Sequence, residues 1–139
     1  MQYLHFINIW AVIVSAVVAF AVGALWYSPL LFAKQWMQAH GYTPEKLAAM
    51  QKQARRDYAV SFVCFLVTAA VMGLLVAITH MSNVIAGIKL GVLCWVGFAG
   101  TLGLTSTLYS GKPLKVFAID AGYQLVYFIL MGAILVGWH

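Results

Sequence analysis

Asp120 and the three polar residues that follow it are the set best suited to chemistry. Tyr123, Gln124 and Tyr127 come three, four and seven residues after Asp120, which places all four side chains on one face of a helix. The surrounding segment is apolar, and an ionisable residue in such a segment is a functional candidate by default. The set could line a polar site or path, or it could supply hydrogen bonds between helices at about 0.6 kcal/mol each.

The same candidate polar site includes residues of the preceding apolar segment. Thr101 and Thr105 give that segment a polar face, and Lys89 is its one charged residue. Lys89 and Asp120 are expected near opposite membrane surfaces, so a direct ion pair between them is not expected. Each also has a simpler role, because Lys89 can extend to the nearest interface and Asp120 can pair with a loop cation.

The motifs of common catalytic and metal sites are missing from the sequence. It has no CxxC, HExxH, GxSxG or phosphate-loop pattern. Cys64 and Cys94 lie within separate apolar segments, where cysteine behaves as a small hydrophobe. The other two acidic residues, Glu45 and Asp57, lie in a basic loop. We therefore expect no enzymatic activity, no cofactor and no metal site.

Composition points to the lipid bilayer as the solvent of this chain. Of its 139 residues, 64% are hydrophobic and 8% are charged, whereas soluble domains carry about 25% charged residues. The net charge of +5 does not indicate nucleic acid, because the basic residues lie in short segments between apolar runs. The expected partner is the bilayer, and no nucleic-acid partner is expected.

Four apolar runs are long enough to cross a bilayer, which takes about 20 helical residues. They cover residues 6–27, 58–79, 84–110 and 116–138. We expect an all-α bundle of four transmembrane helices in the inner (plasma) membrane. Basic loops stay in the cytoplasm, so both termini should be extracytoplasmic. The basic residues lie between the first and second runs and between the third and fourth: Lys34, Lys46, Lys52, Arg55, Arg56, Lys112 and Lys115.

The stretch GALWYSPLLFAKQW, residues 23–36, marks the end of the first run. Pro29 lacks the N–H of a regular helical hydrogen bond and therefore ends or kinks the helix. Serine is favoured as the cap of a helix whose first residue is proline, so Ser28 is suited to start a new one. Ser28 and Pro29 are thus the predicted helix break.

A second restart is expected at the TPE stretch of residues 43–45, which has the order of cap, proline and acid. Residues 30–57 then form a cytoplasmic loop with short amphipathic helices, the second of which ends near Arg56. That helix lies either in the headgroup plane or in the surrounding water. Neither alternative implies a function, because basic residues near a bilayer are attracted to anionic lipid in any protein.

Two stretches, GALWYSPLLFAKQW and FAIDAGYQLVYFILMGAIL, resemble the bacterial family known as domain of unknown function 1761. The charged helical loop after the first run fits the same family, and the LWYSP segment is the most specific part of the match. The resemblance extends over essentially the whole chain. It implies a small integral membrane protein, and it transfers no activity and no catalytic residue.

Small residues at every fourth position give each run a smooth face, as Ala11, Ser15, Ala19 and Gly23 do in the first. Such faces allow close helix packing. Because all four runs carry one, some faces are expected to pair between copies in a homo-oligomer. The leading functional hypothesis is permeation of a small solute or ion by that oligomer. The alternative is a scaffold or accessory subunit for another membrane protein.

Cysteine labelling in intact cells tests the predicted topology. In a background with Cys64→Ala and Cys94→Ala, we expect a membrane-impermeant maleimide to label Ser82→Cys, which lies in the short turn between the second and third runs. Met50→Cys should react only after lysis, because the basic loop stays in the cytoplasm. Labelling of Met50→Cys in intact cells would reverse the orientation.

Overall fold

The computed structural model describes residues 7–138, and every regular element in that range is helical. Phe6, where the first run was predicted to begin, lies outside the described residues. Four helical stretches are long and apolar enough to cross a membrane, which confirms the predicted fold class. In chain order the elements are α1 (Ile9–Trp26), α2 (Ala33–His40), α3 (Pro44–Ile78), α4 (Val84–Cys94), a π segment (Trp95–Gly100), α5 (Thr101–Tyr109) and α6 (Leu114–Gly137).

The chain turns sharply between α1 and α2. Helix α1 begins behind the Asn8 cap, whose side chain accepts from the N–H groups of Trp10 and Ala11, and it ends at Trp26. Residues 27–32 form turns that contain the predicted break. The helix expected to start at Ser28 and Pro29 begins instead at Ala33, behind Phe32. The Ser28 hydroxyl donates to the Leu25 carbonyl at 2.7 Å, so it satisfies one of the carbonyls that a helix end leaves unpaired.

Helix α3 is a correction to the sequence interpretation. The helix predicted to end near Arg56 and the span predicted to begin at residue 58 are one continuous helix of 35 residues, about 52 Å long at 1.5 Å per residue. The Thr43 cap accepts from the Lys46 N–H as expected. Between Glu45 and Met72 there is no glycine or proline, so nothing ends the helix at the membrane surface.

Helix α6 is the centre of the bundle. It packs against α1, α3, α4, α5 and the π segment, and it has the largest number of buried residues of any helix. Met131 is fully buried in α6, and Met72 of α3 is almost so. The third span is not one regular helix, because a π-helical turn separates α4 from α5; the sequence analysis did not predict this turn.

Helices α4 and α6 touch through their backbones. A Cβ atom added at Gly87 would overlap the carbonyl oxygen of Gly132, and one added at Gly91 would overlap the carbonyl oxygen of Phe128. Lipid tails are as apolar as leucine, so close van der Waals packing of this kind holds membrane helices together. The small-residue face of the third run therefore packs within the bundle along α4.

We expect Gly87→Ala to destabilise the bundle by about 1–3 kcal/mol, the usual cost of overpacking, because the new methyl group meets backbone that cannot rotate away. Gly97→Ala is the matched control: a Cβ at Gly97 has no neighbour within 4 Å. Thermal unfolding in detergent measures both variants. Equal melting temperatures would show that the α4–α6 contact is looser than the structure has it.

Candidate functional site

Asp120 lies in the second turn of α6 and faces the break between α1 and α2. Its Oδ1 accepts a hydrogen bond from the Tyr27 hydroxyl at 2.6 Å and one from the Trp36 indole N–H at 2.9 Å. Both neighbours donate to one oxygen, and an ionised carboxylate is a pure acceptor. The side chain is half-buried, so these bonds replace part of the hydration that lipid cannot supply.

The alternative role as a lysine-paired anchor is not what the structure shows. Within residues 7–138 the one ion pair joins Arg56 to Asp57, at 3.1 Å between exposed side chains. Lys112 and Lys115 are exposed and make no ion pair with Asp120. The carboxylate is therefore held by aromatic donors rather than by a cation.

The backbone on either side of Asp120 is held in the same way. The Trp26 indole donates to the Ile119 carbonyl at 3.0 Å, and the Trp95 indole donates to the Ala121 carbonyl at 3.0 Å. Three consecutive residues of α6 thus accept from four aromatic side chains. We call these four side chains the aromatic clamp: Trp26, Tyr27, Trp36 and Trp95.

The local folding of the chain explains how the clamp closes. If α1 continued as a straight helix, Trp36 would lie about 15 Å farther along its axis than Trp26. The turns at residues 27–32 interrupt the helix instead, and the Phe32 N–H donates back to the Trp26 carbonyl at 3.0 Å. Trp95 begins the π segment, the kind of irregular turn that often marks functional sites.

Tyr123 connects the clamp to the core of the bundle. Its hydroxyl donates to the Ala19 carbonyl of α1 at 2.8 Å, and its ring lies 5.5 Å from the Tyr27 ring. A Cβ at Gly23 would come within 2.7 Å of the Tyr123 hydroxyl oxygen, so Gly23 provides the space for this tyrosine. Tyr127 continues the same face and packs against the Phe65 ring of α3 at 5.3 Å.

The other predicted site residues lie away from Asp120. Thr101 and Thr105 are exposed, and their hydroxyls donate to carbonyls of their own helix one turn earlier. Lys89 is exposed near the start of α4, and Gln124 lies beside Gly103 of α5. The structure therefore brings Asp120 together with Tyr123 and Tyr127, and it leaves Lys89, Thr101 and Thr105 of the third span exposed.

Sequence reasoning missed the partners of Asp120. It named none of the four side chains of the aromatic clamp as a site residue. A signal was present, because side chains with a donor end flank a helix break in a chain with a single intramembrane acid. Trp26, Tyr27 and Trp36 pair with α6 across 84 to 93 residues of the chain, which a local pattern does not encode.

His40 is the last residue of α2 and packs against Trp36 of the clamp. Its ring lies 4.4 Å from the Trp36 ring and stacks on Tyr42 at 4.5 Å. Burial lowers the pKa of His40 below its usual range; the nearby Lys112 also lowers it, and Asp120 acts in the opposite direction. The imidazole is therefore neutral at pH 7, and its buried Nε2 has no hydrogen-bond partner among the described residues.

Two clefts open on the seam between α1 and α3. The larger, of about 800 Å³, lies beside the clamp, and we call it the aromatic cleft. Its walls include six aromatic rings: Phe20, Tyr27, Trp36, Tyr58, Phe65 and Tyr123. The smaller, of about 410 Å³, lies at the other end of the same seam, between Ala11 of α1 and Gly73 of α3; we call it the far cleft.

The described part of the chain shows no metal-binding site. Within residues 7–138, no three His, Cys, Asp or Glu side chains are grouped closely enough to hold a metal ion. Cys64 and Cys94 are both free thiols. The polar groups that converge in this protein are hydroxyl and indole donors around one carboxylate, which suits hydrogen bonding and cation contacts rather than metal ligation.

The fold and the site together define a small four-span helical membrane protein with an intramembrane carboxylate held by aromatic donors. The family described as Protein of unknown function (DUF1761) matches residues 10–136, and the chain belongs to that family. The resemblance inferred from the LWYSP segment is thereby confirmed. No curated protein and no solved structure matches the chain.

We expect Asp120→Asn to loosen the attachment of α2. The amide oxygen can still accept from Tyr27 and Trp36, but neutral hydrogen bonds contribute about 1 kcal/mol less than those to a charged group. Thermal unfolding in detergent should show a loss of that size, and limited proteolysis should cut residues 33–43 faster.

A second substitution tests the clamp without touching the carboxylate. Trp36→Phe keeps an aromatic ring and removes the indole N–H, and we expect a loss of about 1 kcal/mol. Trp10→Phe is its control, because Trp10 is 64% exposed and its indole makes no hydrogen bond within the described residues.

If Asp120→Asn left folding, oligomerisation and solute flux unchanged, a functional charge at this position would be ruled out.

Proposed function

We propose that this protein carries a small solute across the membrane along the seam between α1 and α3. The observation that carries the proposal is the pair of clefts at opposite ends of that seam. Residues of α1 and α3 supply most of the lining of both clefts, so a rearrangement of these two helices would connect the two sides of the bundle. Helix α6 also contributes to each cleft, with Leu135 in the far cleft and Tyr123 in the aromatic cleft.

The barrier between the clefts is short. On α1, Ala11 lines the far cleft and Phe20 lines the aromatic cleft; on α3, Gly73 and Phe65 do the same. These separations of nine and eight residues correspond to about 12–14 Å of helix, less than half of a ~30 Å hydrocarbon core. A displacement of α3 has to open only this segment.

The barrier is dry and made mostly of small side chains. Ala16, Ala19 and Ala69 are fully buried, and Met72 is almost so. Ser15 is also fully buried, and its hydroxyl has no hydrogen-bond partner within the described residues. An unpaired hydroxyl in a dry core is costly, which is consistent with a seam that is completed by a passing polar group or by another conformation.

The clamp determines which helices move together. Trp26 and Tyr27 attach the end of α1 to α6, and Gly87 brings α4 into backbone contact with α6. Helix α3 has fewer buried residues than α1 or α6: Ala69, Met72, Gly73 and Val76. We propose that α1, α4 and α6 form a frame and that α3 moves against it.

Self-association is part of the proposal. The third span presents an outward face on which Gly97, Thr101 and Thr105 are exposed at spacings of four residues. Small residues at this spacing favour close contact between membrane helices, so we propose a homo-oligomer in which a second copy packs on this face. We also propose the inner membrane as its location, with the aromatic cleft on the cytoplasmic side next to the basic loop.

One observation favours the alternative role of a scaffold or accessory subunit. The same outward face of the third span can receive a helix of another membrane protein, and the core of the bundle is a cluster of buried hydrophobic residues. Under this alternative the clamp would serve stability alone, and the bundle would carry no solute.

Flux measurements in proteoliposomes separate the two functions. We expect radiolabelled glycerol, alanine or choline to enter vesicles with the protein faster than protein-free vesicles. Ser61→Trp should reduce the rate by about tenfold, because an indole fills much of the aromatic cleft that Ser61 lines. Val63→Trp is the matched control, since Val63 lies on the same helix and is 57% exposed.

The same samples report the oligomeric state through chemical cross-linking in the vesicles, and we expect cross-linked species larger than one chain. Failure of all three solutes to enter, with the protein folded and inserted, would contradict permeation and favour the accessory role. An equal loss of flux in Val63→Trp would show that the cleft is not the path.

A further inference from the structure

We infer that the aromatic cleft binds a small organic cation, the class with a quaternary or primary ammonium group on a compact apolar body. The inference rests on the proposed function, because it names the class of solute that enters the seam. Its basis is the combination of aromatic ring faces and one carboxylate in a cleft of about 800 Å³, a size suited to small molecules.

The rings line the cleft in different orientations. Tyr27 meets Trp36 at 5.6 Å with 71° between the ring planes, and it meets Tyr123 at 5.5 Å with 74°. Across the cleft, Phe20 meets Tyr58 edge-on at 6.0 Å. Rings set at steep angles cannot all present their edges to one point, so a guest meets ring faces as well as edges. The faces carry the negative part of the ring quadrupole and attract cations.

The clamp strengthens this attraction. Tyr27 and Trp36 both donate to the Asp120 carboxylate while their rings line the cleft. Donation to an anion pushes electron density back into the donor ring, which makes its face more negative. The intramembrane acid therefore acts on the cleft through its two partners, although Asp120 is not itself a lining residue.

The charge of the cleft is selective against anions. Among the described residues that line it, Asp57 is the one charged side chain, and no lysine or arginine lines it. Arg56 pairs with Asp57, but their side chains are 73% and 55% exposed, so the pair is weak and open to exchange. Asp57 thus lies at the water-facing side of the cleft as a counter-ion for an entering ammonium group.

The apolar part of the lining favours an organic cation over a metal ion. Met37, Leu47 and Met50 complete the walls, and they offer no oxygen ligands to replace the hydration shell of a small metal ion. A quaternary ammonium is weakly hydrated and keeps its charge spread over methyl groups. Contacts with ring faces and apolar walls therefore compensate for the weak hydration that the ammonium group loses on binding.

Choline and its neutral isostere 3,3-dimethyl-1-butanol test the inference, because they differ in the charge of one central atom. Binding is measured by calorimetry on the full chain in nanodiscs of phosphatidylglycerol, which contain no choline lipid. We expect choline to bind about tenfold more tightly than the isostere, within the range of cation–aromatic contacts. Equal binding of the two, or tighter binding of the alcohol, would overturn the inference.

Two variants locate the binding in the cleft. Phe20→Leu keeps the apolar volume and removes one ring face, and Asp57→Asn removes the counter-ion; each should weaken choline binding by about threefold to tenfold. Their controls are Phe98→Leu, at a ring that is 67% exposed on the third span, and Glu45→Gln, at an acid outside the cleft lining. Unchanged affinity in Phe20→Leu and Asp57→Asn would contradict the assignment.

The outcomes of the binding and flux experiments distinguish a failure of the cation site from a failure of permeation. If choline binds and the variants weaken it while no solute enters vesicles, the cation site stands and permeation is wrong. If glycerol or alanine enters through the cleft but choline shows no preference over its isostere, permeation stands and the solute class is wrong.

Discussion

A carboxylate inside an apolar bundle needs donors from the protein, because lipid offers none, and the rest of this structure is arranged around that need. Asp120 receives the Tyr27 hydroxyl and the Trp36 indole, and the two neighbouring carbonyls receive Trp26 and Trp95. Two of these groups lie at irregular parts of the chain: Tyr27 in the turns after α1 and Trp95 at the start of the π segment. The irregular parts of the fold are thus explained by one polar requirement.

The same requirement distinguishes helices joined by polar bonds from a helix held by packing. Polar bonds attach α1 and α2 to α6, and backbone contact attaches α4 to α6 through Gly87 and Gly132. Helix α3 has no side-chain hydrogen bond to another helix among the described residues, and it is held by packing of small and aromatic side chains. A bundle in which a helix held by packing alone lies beside two clefts could open a solute path along that helix, which is why permeation is the function we propose.

The sequence interpretation was accurate for features set by local interactions and inaccurate for those set by contacts between distant residues. The interruption at Ser28 and Pro29 depends on local backbone chemistry, and the chain does leave the helix there. The sequence analysis predicted two helices where α3 is a single one. Residues that favour helix continue across the membrane surface there, and no glycine or proline ends the helix. Thr101 and Thr105 were grouped with Asp120 because periodicity shows that residues share a face, but it does not show which neighbour that face meets.

What the sequence by itself determined is the solvent, the four spans and the family, because apolar length and a local signature are properties of the chain alone. It also identified Asp120 as the residue that needed an explanation. Only the tertiary structure decided how that need is met, since Tyr27 and Trp36 are more than 80 residues away in the chain. Such pairing depends on how helices pack in three dimensions, and the same packing creates the aromatic cleft that no segment of the sequence contains.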